Sequence, residues 1–249
     1  MQIDASMVKY LCSPPDILSA KRFLFIQPHP DDNQIGAGGT IAKLISLGAE
    51  VWELTVMDDR ETDLEYHGEE LTLRQREALE AQRILGMKNA GFLGFADRSR
   101  ADMREISDMI VEVIREIRPD AVITADPQMQ NECHEDHIKV GTAVKTAFLD
   151  CEWDFYPEYV DSKPREDTCS PAMLGFYYTD RANTKVDITG FEAKKYEAIH
   201  AHASQKNEQI EMMLMLLDKL TAQGTDFESA EGLRMQSRIQ SHCFNLPIE

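Results

Sequence analysis

The chain has 249 residues, of which 43% are hydrophobic, and it carries a formal net charge of −18 at pH 7. A chain of this length can bury a sizeable core, and since no linker divides it, we predict a single domain over residues 1–249. Nucleic-acid backbones and anionic membranes repel so acidic a protein, so neither is expected as a partner, whereas a neutral or cationic small molecule is compatible with this charge.

The cysteines and the N-terminal segment indicate the compartment. Five cysteines lack any C-x-x-C pairing, and an odd number at irregular spacing is unlike a disulfide framework: Cys12, Cys133, Cys151, Cys169 and Cys243. Residues 1–15 lack the basic and apolar regions of a signal peptide. The longest strongly apolar run, residues 212–217, is far shorter than the roughly 20 residues of a membrane span. We therefore predict reduced thiols in a cytoplasmic protein.

Predicted strands and helices alternate along the chain, because short apolar runs are followed by segments with apolar residues at helical spacing. Gly48, Gly86 and Pro119 end three of the helices. In chain order we predict strand Arg22–Gln27, helix Gly38–Leu47, strand Glu50–Met57, helix Glu70–Leu85, strand Gly91–Phe95, helix Asp102–Ile117, strand Ala121–Ala125, helix Asp136–Leu149, strands Leu174–Tyr178 and Val186–Ile188, and helical structure over Phe191–Ala222 as one helix or two.

This alternation predicts an α/β fold with a doubly wound, mostly parallel sheet and helices on both faces. We expect the strand order 3-2-1-4-5, in which strands one and four are neighbours. The crevice at the carboxyl ends of these two strands is where folds of this class bind their ligands.

Two clusters of histidine and aspartate follow those two strands. His29-Pro30-Asp31-Asp32 comes directly after strand one, and His134-Glu135-Asp136-His137 follows strand four. Either cluster alone is more often structural, since Asp136 can cap a helix and paired histidines often decorate a helix start. Catalytic zinc commonly takes three protein ligands and leaves one position for water, and two histidines with one carboxylate are a common set. Together the clusters predict a metal site between strands one and four.

The first cluster lies in a longer motif that resembles a known family. The string Pro28-His29-Pro30-Asp31-Asp32-Asn33-x-Ile35-Gly36-x-Gly38-Gly39-Thr40 resembles the first motif of the PIG-L/LmbE-like N-acetylglucosaminyl deacetylases, most of all the diacetylchitobiose-deacetylase type. The second cluster resembles the H-P-D-H motif of that family. Weaker matches extend the resemblance over about residues 22–205: Arg74-x-x-Glu77, Phe92-Leu93-Gly94-Phe95-x-Asp97 and His202-x-Ser204-Gln205.

The resemblance implies an LmbE-like fold and a zinc-dependent hydrolase that removes acetyl from an N-acetylated amino sugar. Its implied zinc ligands are His29, Asp32 and His137, although nitrogen and oxygen ligands also accept other divalent transition metals. Its implied catalytic groups are Asp31 as general base, His134 as the group that stabilises the tetrahedral oxyanion, and Asp136, which orients His134. Its implied substrate contacts are Arg74, Asp97 and His202.

Two residues depart from the family motifs. Asn33 stands where the family usually has Glu, and Glu135 stands where it usually has Pro. Neither is an implied ligand. Asn33 can still donate and accept hydrogen bonds but carries no charge, whereas Glu135 suits a helix N-terminus or alters which substrates are accepted.

Three other functions stay open. Gly36-x-Gly38 after strand one and Asp58 at the end of strand two partly match a dinucleotide-binding fingerprint, but its third glycine falls at Ile41. The chain is alternatively a metal-dependent amidase of the same family acting on a thiol-sugar, antibiotic or lipid-linked precursor. It is alternatively a zinc-bound scaffold without catalysis, which the intact base and histidines oppose.

Two further segments carry expectations. Acidic loops over 58–69 and 150–171 are expected at the mouth of the site, where the aromatic residues of the second form either a wall for sugar stacking or local packing: Trp153, Phe155, Tyr156 and Tyr159. The apolar helical segment 210–220 is expected to be buried, in the chain's own core rather than against another subunit. The family resemblance adds weight to a homo-oligomer.

Overall fold

The computed structural model describes residues 4, 6–7, 13–59, 71–156, 164–206 and 208–242. Within these residues the strands are β1 (Arg22–Gln27), β2 (Glu50–Asp58), β3 (Lys88–Ala96), β4 (Ala121–Ala125), β5 (Met173–Tyr177), β6 (Thr184–Asp187) and β7 (Ala230–Ser237). The α-helices of eight residues or more are α1 (Asp32–Ser46), α2 (Leu73–Leu85), α3 (Met103–Ile117), α4 (Glu135–Asp150), α5 (Glu192–His200) and α6 (Glu208–Ala222).

The strands form one sheet in the order β3-β2-β1-β4-β5-β7-β6. The first five strands pair in parallel, whereas β7 runs antiparallel to both β5 and β6. The predicted order 3-2-1-4-5 is therefore confirmed. Because β1 and β4 are neighbours and the chain builds the sheet outward from them in both directions, a crevice opens at their carboxyl ends.

Helices cover both faces of the sheet, as predicted. Alternate residues of β1 enter two separate cores, since successive side chains of a strand point to opposite faces. Phe23 and Phe25 pack in the core under α1, α2 and α5. Leu24 and Ile26 pack in the core under α3 and α4. The doubly wound α/β fold class is thus confirmed.

Helix α1 begins six residues earlier than predicted, at Asp32 rather than Gly38. Its glycines serve close packing rather than a turn. A Cβ at Gly36 would lie 2.4 Å from the ring of Tyr177, and one at Gly39 would lie 2.8 Å from Ile188. The helix is broken only at Ala37, whose φ of −150° and ψ of 17° are not helical. Burial against neighbouring side chains therefore outweighs the weak helix propensity of glycine.

The described residues of the second loop, 150–156 and 164–171, do not lie at the mouth of the site, so for them this expectation was wrong. These residues precede β5 and lie at the amino ends of the parallel strands, where Arg115 donates to the carbonyl oxygens of Cys151 and Trp153. The Tyr156 hydroxyl binds Asp108 of α3. The described aromatic residues therefore pack locally. Tyr159 and residues 60–69 of the other loop lie outside the described residues.

The C-terminal part differs most from the expectations. The segment 191–222 forms two helices, as one of the two alternatives had it, but strand β7 was missed. Core burial of the second helix was also wrong, because all the large apolar residues of α6 except Leu214 are 42–62% exposed: Ile210, Met212, Met213, Met215, Leu216, Leu217 and Leu220. Among the described residues, none of the helices combines the length and the hydropathy that a bilayer crossing requires.

Candidate metal centre and active site

The two histidine-aspartate clusters meet at the carboxyl ends of β1 and β4. His29 lies in the turn after β1, where its carbonyl oxygen accepts the backbone N–H of Asp31 at 2.8 Å. His134 and His137 lie at the start of α4, which follows β4. One nitrogen of each of the three histidines lies within 4.8 Å of the others. Two segments about 100 residues apart in the sequence thus build one cluster.

Asp32 lies between two of these histidines. Its Oδ2 is 3.4 Å from Nδ1 of His29, and its Oδ1 is 3.4 Å from Nε2 of His137. The backbone N–H of His29 also donates to Oδ2 at 2.9 Å, which fixes the carboxylate in a buried position. Two ring nitrogens and one carboxylate therefore face each other across a small space.

The opposite nitrogens of both rings are held by other carboxylates. Nε2 of His29 lies 2.9 Å from Oδ1 of Asp97 and 3.2 Å from Oδ2 of Asp136. Nδ1 of His137 lies 2.9 Å from Oε2 of Glu132. Histidines that bind a metal through one nitrogen usually give the other nitrogen's hydrogen to an acid or carbonyl. The arrangement of all three groups fits a divalent metal held by His29, Asp32 and His137.

The electrostatics of the cluster also favour a cation. Burial lowers the pKa of His29, but hydrogen bonds and charges from Asp136, Asp32 and Asp97 outweigh it and raise this pKa to about 10. An environment that retains a positive charge on a buried imidazole stabilises a metal ion at the same place. A second donor set joins His29 and His134 of the three-histidine cluster to Asp97 and Asp136.

Asp31 and Asp32 have different partners, although they lie at the start of α1 rather than on the extended loop that the sequence predicted. Oδ1 of Asp31 lies 3.2 Å from the guanidinium of Arg74. Burial, together with the charge of Asp32, raises the pKa of Asp31 to about 6, although Arg74 and the neighbouring histidines oppose this rise. A carboxylate with a pKa near neutrality is suited to accept a proton and then return it.

His134 caps helix α4 instead of being oriented by the Asp136 carboxylate. Its Nδ1 accepts the backbone N–H of Asp136 at 3.3 Å, whereas the nearest oxygen of that carboxylate is 4.0 Å away. The carboxylate binds His29 and the backbone N–H of Arg98 instead. Since Nδ1 of His134 acts as an acceptor, its Nε2 carries the hydrogen in the neutral ring and remains able to donate.

His202 lies beside Asp31 in a cavity of about 160 Å³. Its side chain is buried, and neither ring nitrogen has a hydrogen-bond partner. Burial, and the charge of Arg74, lower its pKa to about 4. A neutral, buried imidazole with two unpaired nitrogens beside an open cavity is poised to bind a ligand. The rest of the wall is mixed, with four apolar residues, Ile35, Ile199, Ile210 and Leu214, and four polar ones, His200, Gln205, Lys206 and Glu211.

Two weak sequence motifs turn out to be neighbours in space. Glu77, on α2, accepts the backbone N–H of Ser204 at 2.8 Å and its hydroxyl at 2.6 Å. These two hydrogen bonds hold the segment that contains His202 against the helix that carries Arg74. The structure therefore brings all nine predicted site residues to one crevice.

A buried network beneath the aspartate pair was missed by the sequence analysis. Glu53, on β2, is fully buried and accepts side-chain amide hydrogens from Asn33, Gln34 and Gln82 at 2.8–3.0 Å. Burial raises the pKa of Glu53. The signal was present in the sequence, because a glutamate interrupts the apolar run of this strand. Asn33 therefore pairs with a carboxylate that β2 supplies, that of Glu53.

The structure leaves no space for a dinucleotide at the glycines after β1. Side chains of the protein fill the positions where a cofactor would approach the glycines, since Tyr177 abuts Gly36 and Lys195 abuts Gly38. Asp58, the matching acid, is buried and accepts a hydrogen bond from Gln75 at 3.0 Å. These residues therefore serve packing and the start of α2.

Comparison with known proteins agrees with this geometry. A diacetylchitobiose deacetylase of Thermococcus kodakarensis is 36% identical, covering 89% of this chain and 85% of its own. A 1D-myo-inositol 2-acetamido-2-deoxy-alpha-D-glucopyranoside deacetylase of Mycobacteroides abscessus is 28% identical, covering 82% and 88%. The solved N,N'-diacetylchitobiose deacetylase of Pyrococcus horikoshii, in complex with an inhibitor, superimposes with a TM-score of 0.77 at 27% identity, covering 97% and 96%.

The family model for PIG-L, described as GlcNAc-PI de-N-acetylase, matches residues 24–148. This match covers β1 through most of α4 and includes both histidine-aspartate clusters. Together with the 36% identity to the Thermococcus kodakarensis relative over 89% of this chain, the match shows that the chain belongs to the PIG-L family of de-N-acetylases.

Proposed function

We propose that this protein is a zinc-dependent hydrolase that removes the acetyl group from an N-acetylated amino sugar. The observation that carries the proposal is the position of Asp32, 3.4 Å from Nδ1 of His29 and 3.4 Å from Nε2 of His137. The opposite nitrogens of both rings are held by acids, as in known metal sites. Family membership supports the same reaction.

In this proposal the protein's own groups move the protons. When bound, zinc supplies a Lewis acid that polarises the acetyl carbonyl and lowers the pKa of a coordinated water to about 7. Asp31 accepts a proton from the attacking water and then gives it to the leaving amine nitrogen. Water oxygen bonds to the carbonyl carbon, the C–N bond breaks, and acetate and the free amino sugar are the products.

Two histidines take separate roles in this proposal, one at the developing oxyanion and one in substrate binding. We assign the first role to His134, whose Nε2 carries the hydrogen because its Nδ1 accepts a backbone N–H. We assign His202, with its two unpaired nitrogens, to substrate binding in the cavity beside Asp31. Arg74 and Asp97 complete the substrate-binding set, since both reach the cluster from neighbouring elements.

The substrate that we favour is a short saccharide with a terminal N-acetylglucosamine, such as diacetylchitobiose. The more similar of the two relatives compared above acts on diacetylchitobiose by its name. The apolar part of the cavity wall suits an acetyl methyl group, and its polar part suits the hydroxyls of a sugar. A second candidate is N-acetylglucosamine linked to inositol, because the Mycobacteroides abscessus relative carries that activity in its name.

We further propose that residues 1–249 form one deacetylase domain that acts as a homo-oligomer in the cytoplasm. The exposed apolar residues of α6 support association of several copies. Cys133, Cys151 and Cys169 are free thiols, which agrees with a reducing compartment.

Elemental analysis combined with amine release tests the proposal. We expect about one zinc per chain, and release of free amine from diacetylchitobiose in preference to N-acetylglucosamine and to its inositol conjugate. Preference for the inositol conjugate would favour the second candidate. Bound zinc without release of amine from any N-acetylated sugar would contradict the proposed activity and favour another amide or a scaffold.

A further inference from the structure

Glu132 lies in the loop between β4 and α4, immediately before the second histidine cluster. Its side chain is only 12% exposed, and both carboxylate oxygens have defined partners. Oε2 lies 2.9 Å from Nδ1 of His137, and Oε1 accepts the backbone N–H of His134 at 2.7 Å. Its own backbone N–H donates to the carbonyl oxygen of Met129 at 3.1 Å. The carboxylate is thus held in place from several sides.

The contact with Glu132 determines how His137 presents its ring. A carboxylate offers only acceptors, so the 2.9 Å contact requires the hydrogen to be on Nδ1 of His137. The lone pair of the neutral ring is then on Nε2, the nitrogen that faces Asp32 at 3.4 Å. The ring plane is also fixed, because it stacks on His134 and on Tyr178 at interplanar angles of 18° and 16°.

We propose that Glu132 is a positioning residue, which selects the Nδ1–H form of His137 and so directs Nε2 towards the metal. The inference rests on the proposed metal site of His29, Asp32 and His137. His29 shows the same arrangement, since acids hold its Nε2 while Nδ1 faces Asp32. Glu132 precedes the family-like motif, and the sequence resemblance assigned it no role. Loss of such a partner typically weakens metal affinity about 10- to 100-fold.

Zinc affinity, measured by competition with a chromogenic chelator, tests the inference. We expect Glu132→Ala to weaken zinc binding about 10- to 100-fold. Glu132→Gln should have a smaller effect, because its carboxamide oxygen still accepts one hydrogen bond. The matched control is Glu135→Gln, which removes the same charge from an exposed position three residues away and should leave zinc affinity within about threefold. Equal losses in Glu132→Ala and Glu135→Gln would overturn the inference in favour of a bulk charge effect.

A second measurement uses the metal-free protein and does not depend on zinc or on activity. Nitrogen NMR of the His137 imidazole at alkaline pH reports which nitrogen carries the hydrogen. We expect the Nδ1–H form in the wild type and a shift towards Nε2–H that is larger in Glu132→Ala than in Glu132→Gln. A wild-type ring in the Nε2–H form would overturn the inference. A wild type that binds no zinc but shows Nδ1–H would contradict the proposed function alone.

Discussion

Asp31 and Asp32 are adjacent in sequence, yet their surroundings give them different chemistry. Asp32 lies between two histidines, which hold its pKa below the usual value despite burial. Asp31 faces Arg74 and the cavity, and burial raises its pKa to about 6. In the proposed function these different surroundings give two identical side chains the separate roles of metal ligand and general base.

We expect Asp31→Asn to retain zinc and to lose most turnover. The amide is close in size to the carboxylate but cannot accept the proton, and general-base catalysis typically contributes about 10²–10⁴-fold to the rate. Zinc content by elemental analysis and kcat with diacetylchitobiose are the measurements. An inactive Asp31→Asn protein without zinc would indicate that the roles of Asp31 and Asp32 are the reverse of those assigned here.

His134 combines a structural role with a proposed catalytic role, and a substitution by asparagine separates the two. Asparagine is a good N-cap, so His134→Asn should keep the start of α4 stable. The loss of the ring should lower kcat by about 10²–10³-fold, as for removal of an oxyanion donor. Thermal unfolding and kcat are measured side by side. If His134→Asn retains full turnover while His202→Asn loses it, the oxyanion role passes to His202.

At the scale of elements, buried polar networks hold the helices that carry the site. Glu53 joins β2 to α1 and α2 through three side-chain amides. At the break of α1, Glu231 of β7 accepts the backbone N–H groups of Gly39 and Thr40 at 3.0 and 2.7 Å. Its carboxylate also contacts the buried Lys195 at 2.9 Å. A broken helix is therefore capped by a strand that is about 190 residues away.

We expect Glu53→Ala to lower the free energy of unfolding by about 3 kcal/mol, because it leaves buried amide donors without acceptors. Chemical denaturation measures the change. Glu53→Gln is the matched control. Its oxygen can face Asn33 and Gln34, and Gln82 can rotate its own carboxamide to accept, so the loss should be about 1 kcal/mol or less. Equal losses in the two variants would mean that the negative charge, rather than the pairing, is what stabilises the network.

At the scale of the whole molecule, α6 is the feature that the single chain leaves unexplained. Its large apolar side chains are about half exposed, while Asp218 is buried and binds Lys195 at 2.8 Å. The helix therefore turns a charged side chain towards the protein and most of its large apolar side chains towards solvent. An ordinary surface helix has the reverse arrangement. Burial against further copies of the chain would remove this apolar surface from water.

We expect light scattering after size-exclusion chromatography to give a multiple of the 28.3 kDa chain mass. The triple variant Met213→Glu, Leu216→Glu and Leu220→Glu should elute as a single chain, because buried carboxylates oppose association. Leu47→Glu is the control, since Leu47 is similarly exposed but lies at the end of α1. A wild type of single-chain mass would contradict the homo-oligomer.

Local pattern alone determined the first five strands, their parallel order and the place of the site. Apolar runs and helical spacing are local properties, and parallel strands joined by helices allow few topologies, so the convergence of His29 and His137 followed from the strand order. The tertiary structure decided what local pattern does not encode. Glu132, Glu53 and β7 owe their roles to partners that only folding brings near, and α6 shows that an apolar pattern predicts burial without saying against what.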